Sequence, residues 1–258
     1  MDPLRCAIDT AHAAGRVLLD LAGASLDVRE KQPGDLVTRA DRESEALVVG
    51  RLRAAFPRAS LLAEESGAHP GDAGERWIVD PLDGTTNFAH GYPFYSVSIA
   101  YEREGEVVAG VVHAPALGET FVAARGSGTT RNGTPVRVSA TAQLRDALVC
   151  TGFIPSRYER NGANFARLSR VARGVRRDGS AALDLANVAC GRFDAFWEYD
   201  LRPWDVAAGA LLVREAGGAV TATDGAPFDV AAGSIAATNG ATHGELTRLL
   251  VAPANPRV

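Results

Sequence analysis

The chain is poor in several features that define whole classes of protein. Its 258 residues include one lysine and three cysteines, and its 27 basic residues are outnumbered by 31 acidic ones. This balance argues against a nucleic-acid or membrane-surface binder, which normally carries a basic patch. No apolar run approaches the roughly 18 residues that span a bilayer. Because the N-terminal segment carries acids and no basic stretch before an apolar one, we expect no export signal and a cytoplasmic protein.

The cysteines and histidines are too scattered for a thiolate or zinc site. Cys6, Cys150 and Cys190 are odd in number and contain no CxxC pair. That pattern argues against a disulfide framework and against a metal-thiolate cluster. None of the five histidines has the HxxxH or HxH spacing of a zinc site. We therefore expect the cysteines to be small buried residues in a reducing compartment.

The composition and patterning are those of a folded α/β protein. Apolar residues make up 46% of the chain and charged residues 22%, which excludes a disordered chain. Alternating residues predict a β meander over 96–101, 107–113 and 120–124, with a tight turn at Asn132-Gly133. Beyond about residue 149, helical and strand patterns alternate.

These patterns predict an α/β (α+β) protein with two packed halves and a site between them. We predict a single unit, 1–258, with an N-terminal half of about 1–145 and a C-terminal half of about 146–258. The remaining predicted elements are a helix over 8–21, a helix from about Asp41, short strands at 61–63 and 77–79, helices at 157–173, 180–190 and 205–216, strands at 193–197 and near Val220 and Ile235, and a helix from Thr242.

Acidic residues at the ends of apolar strands are the strongest functional signal. Asp80 and Asp83 follow a buried strand, at the kind of position where α/β sheets bind ligands. Two unpaired carboxylates buried together would cost several kcal/mol, which a cation removes. Oxygen ligands select Mg²⁺ or Mn²⁺, and the Leu82 carbonyl can face the same ion. An Asx-type turn in which Asp83 caps a helix is the alternative.

Three further segments place acids in similar positions. Glu64-Glu65 ends a strand, where a solvated loop start is the alternative. Asp35 and Asp41 lie downstream of Lys31, the only lysine; plain N-capping by Asp41 is the alternative there. Asp205 begins a helix, and it too would serve as a simple N-cap. Gly84 opens a helix start whose N–H groups favour phosphate, and a two-metal phosphate-hydrolysing site explains all of these clusters together.

Four of these motifs resemble the inositol monophosphatase family in order and spacing. They are Asp35–Asp41 with Lys31 upstream, Glu64–Ser66, Asp80–Phe88 and Trp204–Gly209, and the stretch Gly179–Asp184 is similar to the bacterial branch. The resemblance spans nearly the whole chain. It implies a layered αβαβα sandwich, a homodimer, and Mg²⁺-dependent hydrolysis of a small phosphorylated polyol or amino alcohol, inhibited by lithium. It also implies two to three Mg²⁺ ions, with Mn²⁺ as a substitute.

The resemblance also assigns roles by position. The first ion would be held by Glu64, Asp80 and the Leu82 carbonyl, and the second by Asp80, Asp83 and Asp205. The implied catalytic residues are Glu64 and Thr85, which orient the attacking water, and Asp83. The implied phosphate-binding residues are Gly84, Thr85 and Thr86, the implied substrate-binding residues are Glu198, Ala181 and Asp205, and the implied surrounding residues are Lys31, Asp35, Asp41 and Asp200.

Three positions depart from the family pattern. Ala63 stands where a glycine usually precedes the glutamate pair, Asp200 stands at a position that is usually glycine, and Asp178 is an unusual acid beside Gly179. The expected substrate is myo-inositol 1-phosphate. Because Asp178 and Asp200 would suit a basic substrate, histidinol phosphate is an alternative, as are fructose 1,6-bisphosphate and NADP. An alternative of another class is a regulatory protein of the transcription or ribosomal-RNA machinery.

Overall fold

A computed structural model of the protein describes residues 2–32, 34–153 and 158–250. Seven helices lie in these ranges: α1 Pro3–Leu21, α2 Arg39–Ala55, α3 Thr85–Ala89, α4 Tyr158–Leu168, α5 Ala181–Ala189, α6 Pro203–Glu215 and α7 His243–Leu249. The strands are β1 Arg29–Gln32, β2 Asp35–Val37, β3 Ala59–Ala63, β4 Gly67–His69, β5 Asp72–Asp83, β6 Ser96–Arg103, β7 Glu106–Ala114, β8 Glu119–Ala124, β9 Thr129–Arg131, β10 Thr134–Val136, β11 Leu148–Thr151, β12 Gly174–Arg176, β13 Ala195–Tyr199, β14 Ala219–Thr221 and β15 Ser234–Thr238.

The strands form two sheets and a hairpin. The larger sheet has the order β10-β9-β8-β7-β6-β5-β3-β4, and the smaller has the order β12-β11-β13-β15-β14. In the larger sheet only β3 and β5 pair in parallel, whereas in the smaller one β11 is parallel to both β12 and β13. The hairpin joins β1 and β2 across a turn at Gly34.

Helices and sheets alternate in five layers, as the αβαβα prediction requires. Helices α1 and α2 cover one face of the larger sheet, α5 and α6 lie between the two sheets, and α4 and α7 cover the smaller one. Each interface has its own apolar core, and these are centred on Leu18 and Trp77, on Leu185 and Leu212, and on Leu168 and Trp197. The central core joins strands of the larger sheet to helices from the C-terminal part of the chain.

Most predicted elements are present, with shifted ends. The β meander is confirmed as β6, β7 and β8. The turn at Asn132-Gly133 joins β9 to β10 with φ values of 49° and 79°, the left-handed backbone that such a hairpin turn demands. The helix predicted over 157–173 ends at Leu168, and its residue 157 lies outside the described residues. The strand predicted at 193–197 runs instead over β13.

Two predicted helix caps are wrong in the same way. Thr38, not Asp41, is the N-cap of α2, and Asp41 accepts hydrogen bonds from the Thr38 N–H at 2.7 Å and hydroxyl at 2.6 Å. Asp205 is likewise the third residue of α6 and accepts a hydrogen bond from the Arg202 N–H at 2.6 Å. In a capping box an acid at the third helical position accepts a hydrogen bond from the N-cap backbone. Each of these two acids therefore lies about one turn deeper in its helix than the N-cap position predicted for it.

No helix in the described part of the chain is both long enough and apolar enough to cross a membrane.

Candidate active site

Asp80 and Asp83 lie in β5 itself, at a break in its pairing with β6. Asp80 pairs with Ser98 and Asp83 with Ser96, so three steps along β5 match two along β6. Residues three apart in a regular strand point to opposite faces, and one extra residue brings them to the same side. Pro81 lies inside this bulge, where its missing N–H disrupts no ladder. The bulge is therefore the reason that both carboxylates face one site.

Asp83 joins the larger sheet to the helix layer behind it. Its Oδ2 accepts hydrogen bonds from the Ser180 hydroxyl at 2.5 Å and from the Ala182 N–H at 2.8 Å. Ser180 is the N-cap of α5, so Asp83 reinforces the cap of a helix nearly one hundred residues away. The alternative predicted for Asp83, an Asx-type turn that caps the next helix, is wrong: Gly84 is the N-cap of α3 and receives no side-chain hydrogen bond, and Asp83 contacts the start of α5 instead.

Glu64 follows β3 directly and is held from two sides. The buried Glu45 carboxylate of α2 accepts hydrogen bonds from the Glu65 N–H at 2.8 Å and the Ser66 N–H at 2.7 Å, which fixes the loop. Lys31 on β1 donates to Glu64 at 3.0 Å and to Glu65 at 2.5 Å. The single lysine of the chain therefore lies against the acidic site.

The electrostatics of Lys31 and Glu65 follow from this arrangement. Burial lowers the pKa of Lys31, but the Glu64 and Glu65 carboxylates outweigh burial and hold that pKa above its ordinary value. Burial also raises the pKa of Glu65 to about 7, although the hydrogen bond from Lys31 opposes this rise. Lys31 is thus a fixed ammonium group at the edge of a region rich in negative charge.

Thr85, at the start of α3, points its hydroxyl at two acceptors. The hydroxyl lies 2.7 Å from Asp41 Oδ1 and 3.1 Å from the Leu82 carbonyl oxygen. The other oxygen of Asp41 is bound by Thr38. A threonine hydroxyl that donates to a fixed carboxylate keeps its lone pairs free to accept a proton or hydrogen bond from a neighbouring water.

Four buried carboxyl groups lie close enough in this region to repel one another, and this repulsion contributes to the raised pKa values of Asp80 and Asp205. Burial raises the pKa of Asp80 well above its ordinary value, and repulsion from Glu64, Asp83 and Asp205 adds to the rise. Burial and repulsion from Asp83 and Glu64 act in the same way on the pKa of Asp205. Burial raises the pKa of Asp83 to about 6, even though its hydrogen bonds from α5 oppose this. Such a concentration of buried negative charge is relieved by a cation.

The donor chemistry of the cluster fits Mg²⁺, although the carboxylates are not yet arranged around one. Among the described residues, no three acidic, histidine or cysteine side chains converge as ready-made metal ligands. Each of the Asp83, Asp205 and Glu64 carboxylates has an oxygen that already accepts a hydrogen bond. Carboxylate and carbonyl oxygens are nevertheless what hard divalent ions select.

A cavity of about 440 Å³ opens beside the acidic cluster. The residues of the cluster that line it are Glu64, Asp83 and Asp205, and Asp80 lies buried behind them. Other residues that line it are Gly152, Arg177, Ala181, Asp184, Glu198 and Asp200. The cavity is thus continuous from the cluster to a second set of acids.

The structure brings together most of the residues that the resemblance assigns. Gly84, Thr85 and Thr86 line the cavity at the start of α3, where Gly84 has a φ of 99° that favours glycine. Asp200 lies at the cavity with a φ of 62°, a backbone conformation that explains why glycine is usual there. The backbone of Asp35 belongs to β2, but its side chain lies outside the described part of the chain.

Sequence reasoning missed three residues of this region. Glu45 accepts a hydrogen bond from the Glu65 N–H, 20 positions away in the chain. Ser180 donates one to Asp83, 97 positions away. Asp184 lines the cavity from the first turn of α5. The spacing of Glu45 after Asp41, one helical turn, was the local signal for Glu45, and Ser180 and Asp184 lie in the family-like stretch Gly179–Asp184, where neither received a role.

The five layers and the acidic cavity define a metal-dependent phosphatase class. The model of the "Inositol monophosphatase family" matches residues 1–255, and the chain belongs to this family. An inositol-1-monophosphatase from Synechocystis is 45% identical over 96% of this chain and 88% of that protein. A "Fructose-1,6-bisphosphatase/inositol-1-monophosphatase" from Thermotoga maritima is 40% identical over 97% and 96%, and the "Nus factor SuhB" of Pseudomonas aeruginosa is 43% identical over 92% and 91%.

Solved structures agree with this assignment. The extragenic suppressor protein suhB from Bartonella henselae has a TM-score of 0.92 and 43% identity, covering 95% of this chain and 97% of that chain. An IMPase/NADP phosphatase complexed with Mg²⁺ and phosphate has a TM-score of 0.83 and 28% identity, covering 93% and 92%. The predicted family, its fold and its phosphatase class are therefore confirmed.

Proposed function

We propose that the protein hydrolyses myo-inositol 1-phosphate to inositol and phosphate with the help of Mg²⁺. The observation that carries this proposal is the mutual repulsion of the buried Asp80 carboxylate with Glu64, Asp83 and Asp205, which marks a place for a cation. The family model and the inositol-1-monophosphatase relatives support the choice of substrate. No nucleic acid or membrane is required for this activity.

The acidic residues divide into two ligand sets that share Asp80. Glu64, Asp80 and the Leu82 carbonyl would hold one Mg²⁺ ion, and Asp80, Asp83 and Asp205 a second, with Mn²⁺ as a substitute and a third ion near Glu64. Bound Mg²⁺ supplies a water of lowered pKa and stabilises the attacking and leaving oxygens of the displacement. Glu64 and Thr85 hold the attacking water, and Asp41 fixes the Thr85 hydroxyl at 2.7 Å.

The rest of the cavity positions the ester. The N–H groups of Gly84, Thr85 and Thr86 face the place of the phosphate, where free backbone donors favour an anion. Glu198, Ala181 and Asp205 line the space left for the alcohol. Lys31 neutralises part of the negative charge around Glu64, while Asp35 and Asp200 belong to the surroundings of the site.

An amino alcohol phosphate is the second candidate substrate, because of two acids near the alcohol end. Asp200 lines the cavity. Asp178 is close enough to repel Asp184, another acid that lines the cavity. Carboxylates at this end would attract an ammonium group, as in histidinol phosphate, but repel a second phosphate, as in fructose 1,6-bisphosphate.

Phosphate release from four esters tests the proposal. The full chain is assayed with Mg²⁺ on myo-inositol 1-phosphate, histidinol phosphate, fructose 1,6-bisphosphate and NADP, with and without lithium. We expect the highest kcat/KM on myo-inositol 1-phosphate, inhibition by lithium, and loss of activity when a chelator removes Mg²⁺. In Asp205→Asn we expect kcat to fall by at least about 100-fold with folding intact, because a ligand is lost.

Three outcomes would contradict parts of the proposal. Unchanged turnover in Asp205→Asn would remove the metal assignment, and preference for histidinol phosphate would make the second candidate the substrate. Absence of any hydrolysis would favour a regulatory role of the kind that the name Nus factor SuhB gives to a relative.

We further propose that the protein is a cytoplasmic homodimer. A mass in solution of about twice 27.0 kDa would support the dimer.

A further inference from the structure

Asp184 is a carboxyl group that the proposed chemistry leaves unused. It lies in the first turn of α5, is only 1% exposed, and lines the cavity that the acidic cluster also lines. Its Oδ1 has no hydrogen-bond partner among the described residues. A buried polar atom of this kind is rare in folded proteins and calls for a physical reason.

Comparison with the other buried atoms that lack a partner isolates Asp184. In the described part of the chain these atoms belong to Arg76, Trp77, Tyr101, Asn161, Asp184 and Trp197. Of these residues only Asp184 lines the cavity. Because leaving a buried carboxyl oxygen unpaired costs stability, a ligand in the cavity is the simplest source of the missing donor.

The position of Asp184 in the first turn of α5 explains why an acidic side chain is favourable there, but it does not explain the unpaired oxygen. An acidic side chain in the first turn interacts favourably with the helix dipole. The cap of α5 is already provided by Ser180 and Asp83. No hydrogen bond from an N–H group of α5 reaches Asp184 Oδ1, so the dipole can stabilise its charge without satisfying the oxygen.

The surroundings of Asp184 are rich in acceptors. The acids that act most strongly on it are Asp178, Glu198 and Asp83, and the cation Arg177 acts in the opposite direction. A side chain at Gly152 would lie within 2.3 Å of the Glu198 carboxylate, so the bare backbone there leaves Glu198 its space. An acceptor-rich end of a cavity suits a ligand that offers hydrogen-bond donors.

We propose that Asp184 determines substrate specificity, with its free carboxyl oxygen accepting a hydrogen bond from a hydroxyl or ammonium group on the alcohol part of the substrate. This inference rests on the proposed phosphatase function, because it concerns the same cavity. Asp184 touches neither the phosphate nor the reacting oxygens in this scheme. Its removal therefore weakens recognition of the alcohol and spares the acidic cluster.

Two variants and three esters test this role in the full chain with Mg²⁺. The esters are myo-inositol 1-phosphate, histidinol phosphate, and cyclohexyl phosphate, which has a six-membered ring without donors. For Asp184→Leu we expect kcat/KM on myo-inositol 1-phosphate to fall about tenfold, the effect of one lost hydrogen bond to a charged acceptor. On cyclohexyl phosphate the change stays within about twofold, and inorganic phosphate inhibits with an unchanged Ki.

Asp184→Asn separates the two kinds of donor. An amide oxygen still accepts a hydrogen bond from a hydroxyl, so the loss on myo-inositol 1-phosphate shrinks to about threefold. An ammonium group loses its charge partner, and so kcat/KM on histidinol phosphate falls at least tenfold if that ester uses Asp184. The pattern across both variants thus identifies the group that Asp184 contacts.

Thermal unfolding distinguishes recognition from a structural role. We expect Asp184→Leu to keep or raise Tm, since an unpaired buried carboxyl is removed. Asp194→Leu is the matched control: this buried aspartate accepts hydrogen bonds from the Ser139 hydroxyl at 2.5 Å and the Leu148 N–H at 2.6 Å, so its loss lowers Tm.

The inference would be overturned by equal losses on myo-inositol 1-phosphate and cyclohexyl phosphate, by an altered Ki for phosphate, or by failure of both Asp184 variants to fold. Each of these outcomes would make Asp184 a structural residue. A wild-type chain that hydrolyses none of the esters would instead refute the proposed function, and the inference with it.

Discussion

At the scale of single residues, the site depends on which oxygen of each acid is already engaged. Asp41 accepts a hydrogen bond from Thr38 with one oxygen and from Thr85 with the other. We therefore expect Asp41 to orient these threonines and not to bind metal. Asp205 uses one oxygen on the Arg202 N–H and keeps the other. Asp205 is thus the third residue of a capping box and not an N-cap, and this position is compatible with the ligand role proposed for it.

The Thr85 hydroxyl provides a residue-scale prediction. In Thr85→Ser we expect kcat on myo-inositol 1-phosphate to stay within about threefold of the wild type, because the hydroxyl can still donate to Asp41. In Thr85→Val we expect kcat to fall by about 100-fold or more, the usual scale of lost proton handling at a reacting water. Steady-state kinetics at saturating Mg²⁺ check both values, and wild-type kcat in the valine variant would refute the role of Thr85.

At the scale of elements, close approach of backbones sets how the layers pack. Gly15 of α1 faces His113 of β7, and a side-chain carbon at Gly15 would lie 2.5 Å from the His113 ring. That ring is also fixed by Thr120, whose hydroxyl lies 3.0 Å from His113 Nδ1 and 2.9 Å from His12 Nε2. The outer helix layer therefore contacts the larger sheet through a site with no room for added volume.

Gly15 in α1 and Gly50 in α2 allow a matched pair of glycine-to-alanine substitutions. Gly15→Ala should lower the free energy of unfolding by about 1–3 kcal/mol, because the ring of His113 cannot easily move. Gly50→Ala on α2 meets nothing within 4 Å and should raise the free energy of unfolding by up to about 1 kcal/mol through helix propensity. Urea unfolding measures both, and equal effects would show that the α1 contact is not tight.

At the scale of the whole molecule, α5 and α6 are shared by both sheets. They lie between the sheets and pack on each other so closely that a side chain at Gly209 would lie 2.6 Å from Leu185. The site has the same shared origin, since Asp83 comes from the larger sheet and Asp205 from α6. We therefore propose that the two halves, about 1–145 and 146–258, fold as one unit.

Coincident unfolding of the two halves is the corresponding prediction. Trp77 lies in the larger sheet and Trp197 in the smaller one. Variants that keep one of these two tryptophans, and that lack both the other and Trp204, should report the same urea midpoint, because the central core links the layers. Gly209→Ala should lower both midpoints together. Two separate midpoints, or a shift of only one of them, would show that the halves unfold independently.

The sequence by itself determined the chemistry and the class of fold. Strand and helix periodicities predicted the meander and the later alternation, because those patterns depend on which residues face the core. The proposed metal ligands Asp80, Asp83 and Glu64 follow from acids placed at strand ends, and the resemblance of four motifs to the family predicts the layered architecture.

Only the tertiary structure decided how distant parts of the chain combine. Local spacing does not encode the bulge that turns Asp80 and Asp83 to one side, since it depends on pairing with β6. The contact of Lys31 with Glu64, and the place of Asp184 in the lining of the cavity, likewise arise between segments far apart in sequence. Hydrogen bonds and repulsion act over a few ångströms of space, and only the folded chain brings such groups within that range.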